Sequence, residues 1–313
     1  MTTALSQDET RLLNESLMEK LESDDPVMHK RAADALTEFT RYKMREDGIT
    51  RRILPPVPVQ NSDLTRSVEH EKPEVVVDIE TDSPAAISLP FATLPDSYYL
   101  HGRRYKITLH RIVGPRWTKD VDELRTWQMD LRQVVSDNAI RDMLAEEDSK
   151  FLSACNLAVG TKGVATPTAG SVQYEEIPGG ITREALAEST KVLPSTASLL
   201  EAQTGLVNHI TIKDIMKWGR NEMGGDMSQD FMRDGVSLQN FMKLNWVVTI
   251  KRALVATNEV YHFADPKFLG KFLVMEDVVM YVRKEFFMVE FFPYELVGGA
   301  IGNVNSVARI LFS

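Results

Sequence analysis

The stretch TKDVDELRTWQMDLRQVVSDNAIRDMLAEEDSKFLSACNLAVG, residues 118–160, decides the fold. Apolar residues recur at helical spacing through Leu124, Trp127, Leu131 and Val134, and again through Ile140, Leu144, Phe151 and Cys155. Thr118 can cap the start, and Asp120, Asp122 and Glu123 stand in the first turn, where the helix dipole favours acids. Neither Pro nor Gly interrupts the run before Gly160. The spacing predicts a helix of about 40 residues, roughly 60 Å long if unbroken. In a chain of 313 residues such a helix is a spine, and it does not fit the strand–helix rhythm of a doubly wound enzyme.

Immediately upstream, RRYKITLHRIV (103–113) alternates as a strand should, with Tyr105, Ile107 and Leu109 on one side, and Gly114-Pro115 ends it. Before it lie PEVVVDIE (73–80) and AAISLPFATL (85–94), short apolar runs broken by Pro73, Pro84, Pro90 and Pro95. Residues from about 59 to 113 therefore read as a long two-stranded excursion. Its charges are segregated. Residues 69–82 hold six acids, Glu69, Glu71, Glu74, Asp78, Glu80 and Asp82, against the one base Lys72. Residues 101–119 hold six bases and no acid. The two blocks can pair within one chain. A thin hairpin buries little by itself, however, and needs something to lie on.

At the N-terminus, Ser6 and Glu9 have capping-box spacing before a helix whose Leu13, Leu17 and Leu21 form one stripe. Asp25-Pro26 opens a second helix with Met28, Ala32, Ala35, Leu36 and Phe39 on one face, stopping near Gly48. The first helix is acidic and the second basic. Pro55, Pro56 and Pro58 then predict an extended connector. Downstream of the spine, TREALAESTKVLP (182–194) reads as a helix, and residues 205–210 as a strand. Thr211 and Asp214 begin a further helix. NWVVTIKRALV (245–255), EVYHFAD (259–265) and nearly all of residues 271–312 read as strands.

The net charge of −9 argues against a general nucleic-acid binder. Cys155 is the only Cys, which excludes an intrachain disulfide framework and a zinc site of several thiolates. The opening MTTALSQDETRLL lacks a basic start and an apolar run, and no stretch approaches the roughly 18–20 apolar residues of a membrane span. The expectation is a soluble protein of a reducing compartment. Catalytic motifs are missing: there is no phosphate loop, G-x-G-x-x-G or G-x-S-x-G, and GGAIGN (298–303) reads as a glycine bend in a strand. No two of the six His lie three or four apart. Cys155 reads as a buried inert thiol, and Glu146-Glu147-Asp148 as a solvated helix face. Met216, Met223, Met227, Met232 and Met242 suit core packing or a subunit contact.

The order of elements resembles that of the major capsid proteins of tailed bacteriophages, of the Hong Kong 97 type. The likeness is strongest at SPAAISLPFATLP (83–95), at residues 114–154, and at FFMVEFFPYELVGGAIGNVNSVARI (286–310). It implies an α+β capsid fold with an N-terminal helical arm (1–58) and an extended β-hairpin loop (59–100). A peripheral domain carrying the spine helix (101–160 and 276–313) and an axial domain (161–275) complete it. The resemblance further implies a non-enzymatic shell protein that self-assembles as hexamers and pentamers around double-stranded DNA, without a cofactor or a membrane. Portal, scaffold and decoration proteins are the implied partners. The implied location is the virion, assembled in the host bacterial cytoplasm. Because the arm reaches the loop by residue 60, no removable scaffolding segment is expected. Subunit contacts are expected at Leu13, Leu17 and Leu21, at the six loop acids, and at Arg103, Arg104, Arg111 and Arg116. Two alternatives stay open: an encapsulin-like compartment shell and an oligomeric cytoplasmic enzyme.

Overall fold

The computed structural model describes residues 7–23, 25–66, 73–79, 88–91, 93–94, 97, 103–126, 131–215, 218, 240–251 and 253–313. The spine is there as α5 (Leu131–Val159), 29 residues and about 44 Å long. It is shorter than the sequence spacing predicts. Val121–Arg125 forms a separate short helix, α4, whose N-cap is Asp120 rather than Thr118: the Asp120 carboxylate accepts the Asp122 N–H. Residues 127–130 lie outside the description.

Two sheets flank the spine. The first is built on a long antiparallel hairpin, β12 (Gly270–Glu285) with β13 (Met288–Ile301). Both β5 (His110–Val113) and β6 (Trp117–Asp120) pair with β13 along different parts of its length. On the other edge β1 (Pro56–Pro58) runs parallel to β12. The extended connector that the prolines predict is thus paired at a sheet edge. Proline is tolerated on an edge strand, where its missing N–H faces away from the ladder. The chain then resumes donating, Val59 N–H to the Val274 carbonyl at 3.0 Å.

The second sheet has the order β7-β14-β11-β8-β10-β9: Tyr174–Ile177, Val307–Phe312, Glu259–Phe263, Thr204–Asn208, Leu244–Thr249 and Asn240–Phe241. β8 and β11 are buried throughout, as expected of short continuous apolar strands. α6 (Arg183–Ser189) packs beside them, capped by Thr182, whose hydroxyl accepts the Ala185 N–H. The buried His262 imidazole lies 2.9 Å from the Ser189 hydroxyl, and burial lowers its pKa to about 4.

One apolar cluster joins the spine to both sheets, through Leu144, Phe151 and Cys155 on α5, Phe272 and Val297 on the first sheet, and Tyr261 and Phe263 on the second. Burial pushes the Cys155 thiol upward and keeps it protonated, as the inert reading expects.

The arm is α1 (Gln7–Glu22) and α2 (Pro26–Asp47), with Asp25 Oδ1 accepting the Val27 N–H at the start of α2. A short helix unread in the sequence, α3 (Ile49–Ile53), follows Gly48. Three short strands form the root of the excursion: β2 (Thr65–Arg66), β3 (Pro73–Ile79) and β4 (Arg103–Thr108), in that order. This small sheet rests on the hairpin through Ile107, Leu109 and Leu273. Gly298 permits the approach, because a Cβ there would stand 2.7 Å from the Thr108 carbonyl oxygen.

Candidate assembly surfaces and the arm-root cluster

The excursion carries charge in register. Across the antiparallel pair β3–β4, Asp78 faces Arg104 and Glu74 faces Thr108. Arg104 Nε meets Asp78 Oδ1 at 2.7 Å, and Lys106 Nζ meets Glu74 Oε1 at 3.2 Å. Two of the predicted loop acids are thus answered by bases of the same chain. Arg103 stands opposite Ile79 in the register. Arg111 lies over the Tyr294 ring at 5.9 Å, and exposed Arg116 pairs with Glu290. Glu69, Glu71, Glu80 and Asp82 lie outside the described residues.

The leucine stripe is also answered within the chain. Leu17 and Leu21 are buried in a cluster with Leu36 of α2, Val121 and Leu124 of α4, and Met280 and Phe291 of the hairpin. Leu13 is half-buried. Leu17 and Leu21 thus have apolar cover within their own chain. The arm folds back on the hairpin, where Thr37 Oγ1 accepts the Met280 N–H at 2.9 Å and Lys284 donates to the Glu22 carbonyl at 2.5 Å.

Several large apolar side chains stay exposed on the single subunit, Leu157 of the spine and Ile250 among them. Phe91 is 104% exposed and Leu94 89%, both in the LPFATLP segment of the excursion. At the tip of the β12–β13 hairpin Phe286 is 86% exposed and Phe287 66%. Phe286 also has φ 54°, a backbone region that a bulky residue rarely adopts. Charge segregation drew the reading to the loop acids and away from these side chains. The doublet Phe286-Phe287 at the turn between two apolar strands was the available signal.

A second feature went unread. Glu147 and Asp148 were expected on a solvated face, yet both are buried, because the spine lies between the arm root and the hairpin. Arg51 on α3 donates to Glu147 at 3.2 Å, to Asp277 of β12 at 2.9 Å and to Glu295 of β13 at 2.9 Å. Asp148 accepts the Thr50 N–H and hydroxyl at 2.9 and 2.8 Å, and Lys251 Nζ at 2.6 Å. Burial pulls the Arg51 pKa downward, but the charges of Glu147 and Glu295 outweigh it and hold the guanidinium above its ordinary value. A cavity of about 300 Å³ adjoins the cluster, lined by Thr50, His110, Glu147, Lys150 and Phe151 among others.

The whole arrangement, an arm, an excursion, a spine and two sheets, matches known particles. The subunit of the bacteriophage PhiM1 mature capsid superposes with a TM-score of 0.57 at 9% identity, over 85% of this chain and 87% of that one. The chain has the Hong Kong 97-type capsid fold. The same capsid fold relates it to the capsid of an empty GTA particle, with a TM-score of 0.57 at 14% identity over 84% and 89% of the two chains. The virus-like particle from Pyrococcus furiosus gives 0.51 at 12% identity over 88% and 98%. No family model and no curated protein matches the sequence. Among the described residues no helix is long and apolar enough to cross a membrane.

Proposed function

We propose that this protein is a major capsid protein, a structural shell subunit that self-assembles as hexamers and pentamers into an icosahedral particle enclosing double-stranded DNA. The observation that carries the proposal is the capsid fold over most of the chain, found together with large apolar side chains left exposed on the single subunit, Phe91, Leu94, Phe286 and Phe287 among them. Clustered exposed apolar side chains mark contact surfaces. In a shell, the neighbouring copy covers them. The domain division follows: an arm (1–58), an extended loop (59–100), a peripheral domain (101–160 and 276–313) and an axial domain (161–275).

In this reading the loop's charge ladder sets register against a neighbour, and the phenylalanines supply the buried area. The loop acids and Arg103, Arg104, Arg111 and Arg116 act at subunit boundaries as members of a repeated network, since an exposed pair is worth only about 0–1 kcal/mol by itself. Leu17 and Leu21 act indirectly, by holding the arm in the shape that a neighbour meets. Portal, scaffold and decoration proteins are the further partners, the assembled form is the virion, and assembly takes place in the host bacterial cytoplasm. The chain is acidic overall, with a net charge of −9, so the shell encloses DNA without gripping it.

The likeness to a virus-like particle favours one second reading, a compartment shell with protein cargo. Negative-stain microscopy of purified particles, with the contents assayed, separates the two. Closed shells holding nuclease-protected DNA support the virion. Shells holding an enzyme support the compartment. Dimers or tetramers without shells overturn both.

A further inference from the structure

The cluster at the arm root holds more negative than positive charge. Asp148 has its own partners in Lys251 and in the N–H groups of Ile49 and Thr50. Among the described residues Arg51 pairs with Glu147, Asp277 and Glu295. Glu147 and Glu295 converge on the same Nη2, at 3.2 and 2.9 Å, and both are buried. Two carboxylates held that close in a dry site do not both stay ionised. Glu295 Oε2 takes the Arg51 bond, while Oε1 has no hydrogen-bond partner among the described residues.

Position gives the cluster a mechanical role. It ties α3, the root of the arm, to the spine through Glu147 and to both strands of the hairpin through Asp277 and Glu295. Around Asp277 the β12–β13 register shifts twice, between Val274 and Glu276 and between Glu276 and Val279. Such irregularities bend a strand. The arm is therefore fastened at the bend of the hairpin.

We propose that this cluster is a proton-dependent clamp: one proton carried by the Glu147–Glu295 pair lets Arg51 fix the arm root to the spine and the hairpin, and loss of that proton loosens it. The clamp is a property of the subunit and stands or falls separately from the assembly reading.

Burial first, and the charge of Glu147 second, push the Glu295 carboxyl up to about 8. Burial also raises Glu147, against the opposing pull of Arg51. Among the described residues, the other ionisable groups facing the pair are Asp277 from β12, Asp148 and Lys150 from the spine, and His110 from β5 across the cavity. A carboxyl near 8 in the clamped state and 4.5 when released binds its proton more tightly when clamped. The clamp is thus strongest below the released value and is lost as pH rises through the clamped value. Its opening constant grows by up to about tenfold per pH unit across that window and levels off above it.

Hydrogen exchange on the full chain reads this directly. The Arg52 and Leu54 amides donate to the carbonyls of Gly48 and Thr50 and report on α3. Their protection, relative to an unstructured chain at the same pH, is expected to fall by up to about tenfold per unit from roughly pH 5.5 to 8 and then hold level. Glu295→Gln and Glu147→Gln each supply a neutral partner, and loss of the slope in either variant supports the clamp. Asp78→Asn, on the exposed loop, is the control that keeps the wild-type profile. A flat wild-type profile, or a slope that survives in both Gln variants, overturns the proposal. Circular dichroism establishes that each variant is folded, and if Glu295→Gln is not, Glu147→Gln carries the test.

Discussion

Two sets of ion pairs in this subunit share one chemistry and differ in setting. The ladder on the excursion, Asp78 with Arg104 and Glu74 with Lys106, stands largely in water. The arm-root cluster, Arg51 with Glu147, Asp277 and Glu295, is almost wholly enclosed. Water screens the first set, so each pair contributes little to the subunit. In the second, each charge has given up its hydration, and removing one partner strands the others. The sequence made the weak set conspicuous, because like charges stand side by side in blocks. It hid the strong one, whose members are 96, 226 and 244 positions from Arg51. Charge patterning along a chain reports on surfaces. Buried charge is assembled by topology.

That contrast breaks most visibly at Arg51. Arg51→Ala leaves the buried Glu147 and Glu295 and the half-buried Asp277 around an empty position and is expected to destabilise the subunit by about 3–5 kcal/mol. A denaturant midpoint close to that of wild type would erase the distinction between the two sets. Leu21→Ala comes next. Leu21 is fully buried between the arm and the hairpin. Truncation there should cost about 2–5 kcal/mol by thermal or chemical unfolding. A cost near zero would mean that the arm is not part of the subunit's core.

Smaller effects on folding are expected at the exposed sites, with the larger consequence falling on assembly. Phe286→Ser with Phe287→Ser should shift unfolding by no more than about 0.5 kcal/mol, as surface changes do. Particle yield should nevertheless collapse, and unaltered particles would remove the hairpin tip from the interface. The folding effect at the ladder is small as well. Glu74→Lys with Asp78→Lys should alter subunit stability by about 1 kcal/mol or less per pair while impairing shell formation. Normal particles from this variant would confine the ladder to a role inside its own subunit.

These outcomes follow the line between what local pattern encodes and what it does not. The spine was legible because Ile140, Leu144, Phe151 and Cys155 recur at helical spacing, and each is buried. The long return strands were legible from their β-branched and aromatic content. Helix α3 was missed, since five residues are too few to show a period. Strand β1 was missed because its prolines argue against pairing everywhere except at an edge. The leucine stripe was recognised as an apolar face, but its cover is supplied from residues 121–124 and 280–291, far along the chain. The acids of the spine were assigned to water for the same reason, since nothing near Glu147 in sequence announces Arg51.

If this fold closes into a shell, the particle mass of the purified full chain will show it. Light scattering combined with sedimentation is predicted to give a discrete megadalton species, dissociating only under conditions that disturb the hairpin tip or the arm. A protein that stays monomeric, dimeric or tetrameric at every concentration and ionic strength tried would contradict the account.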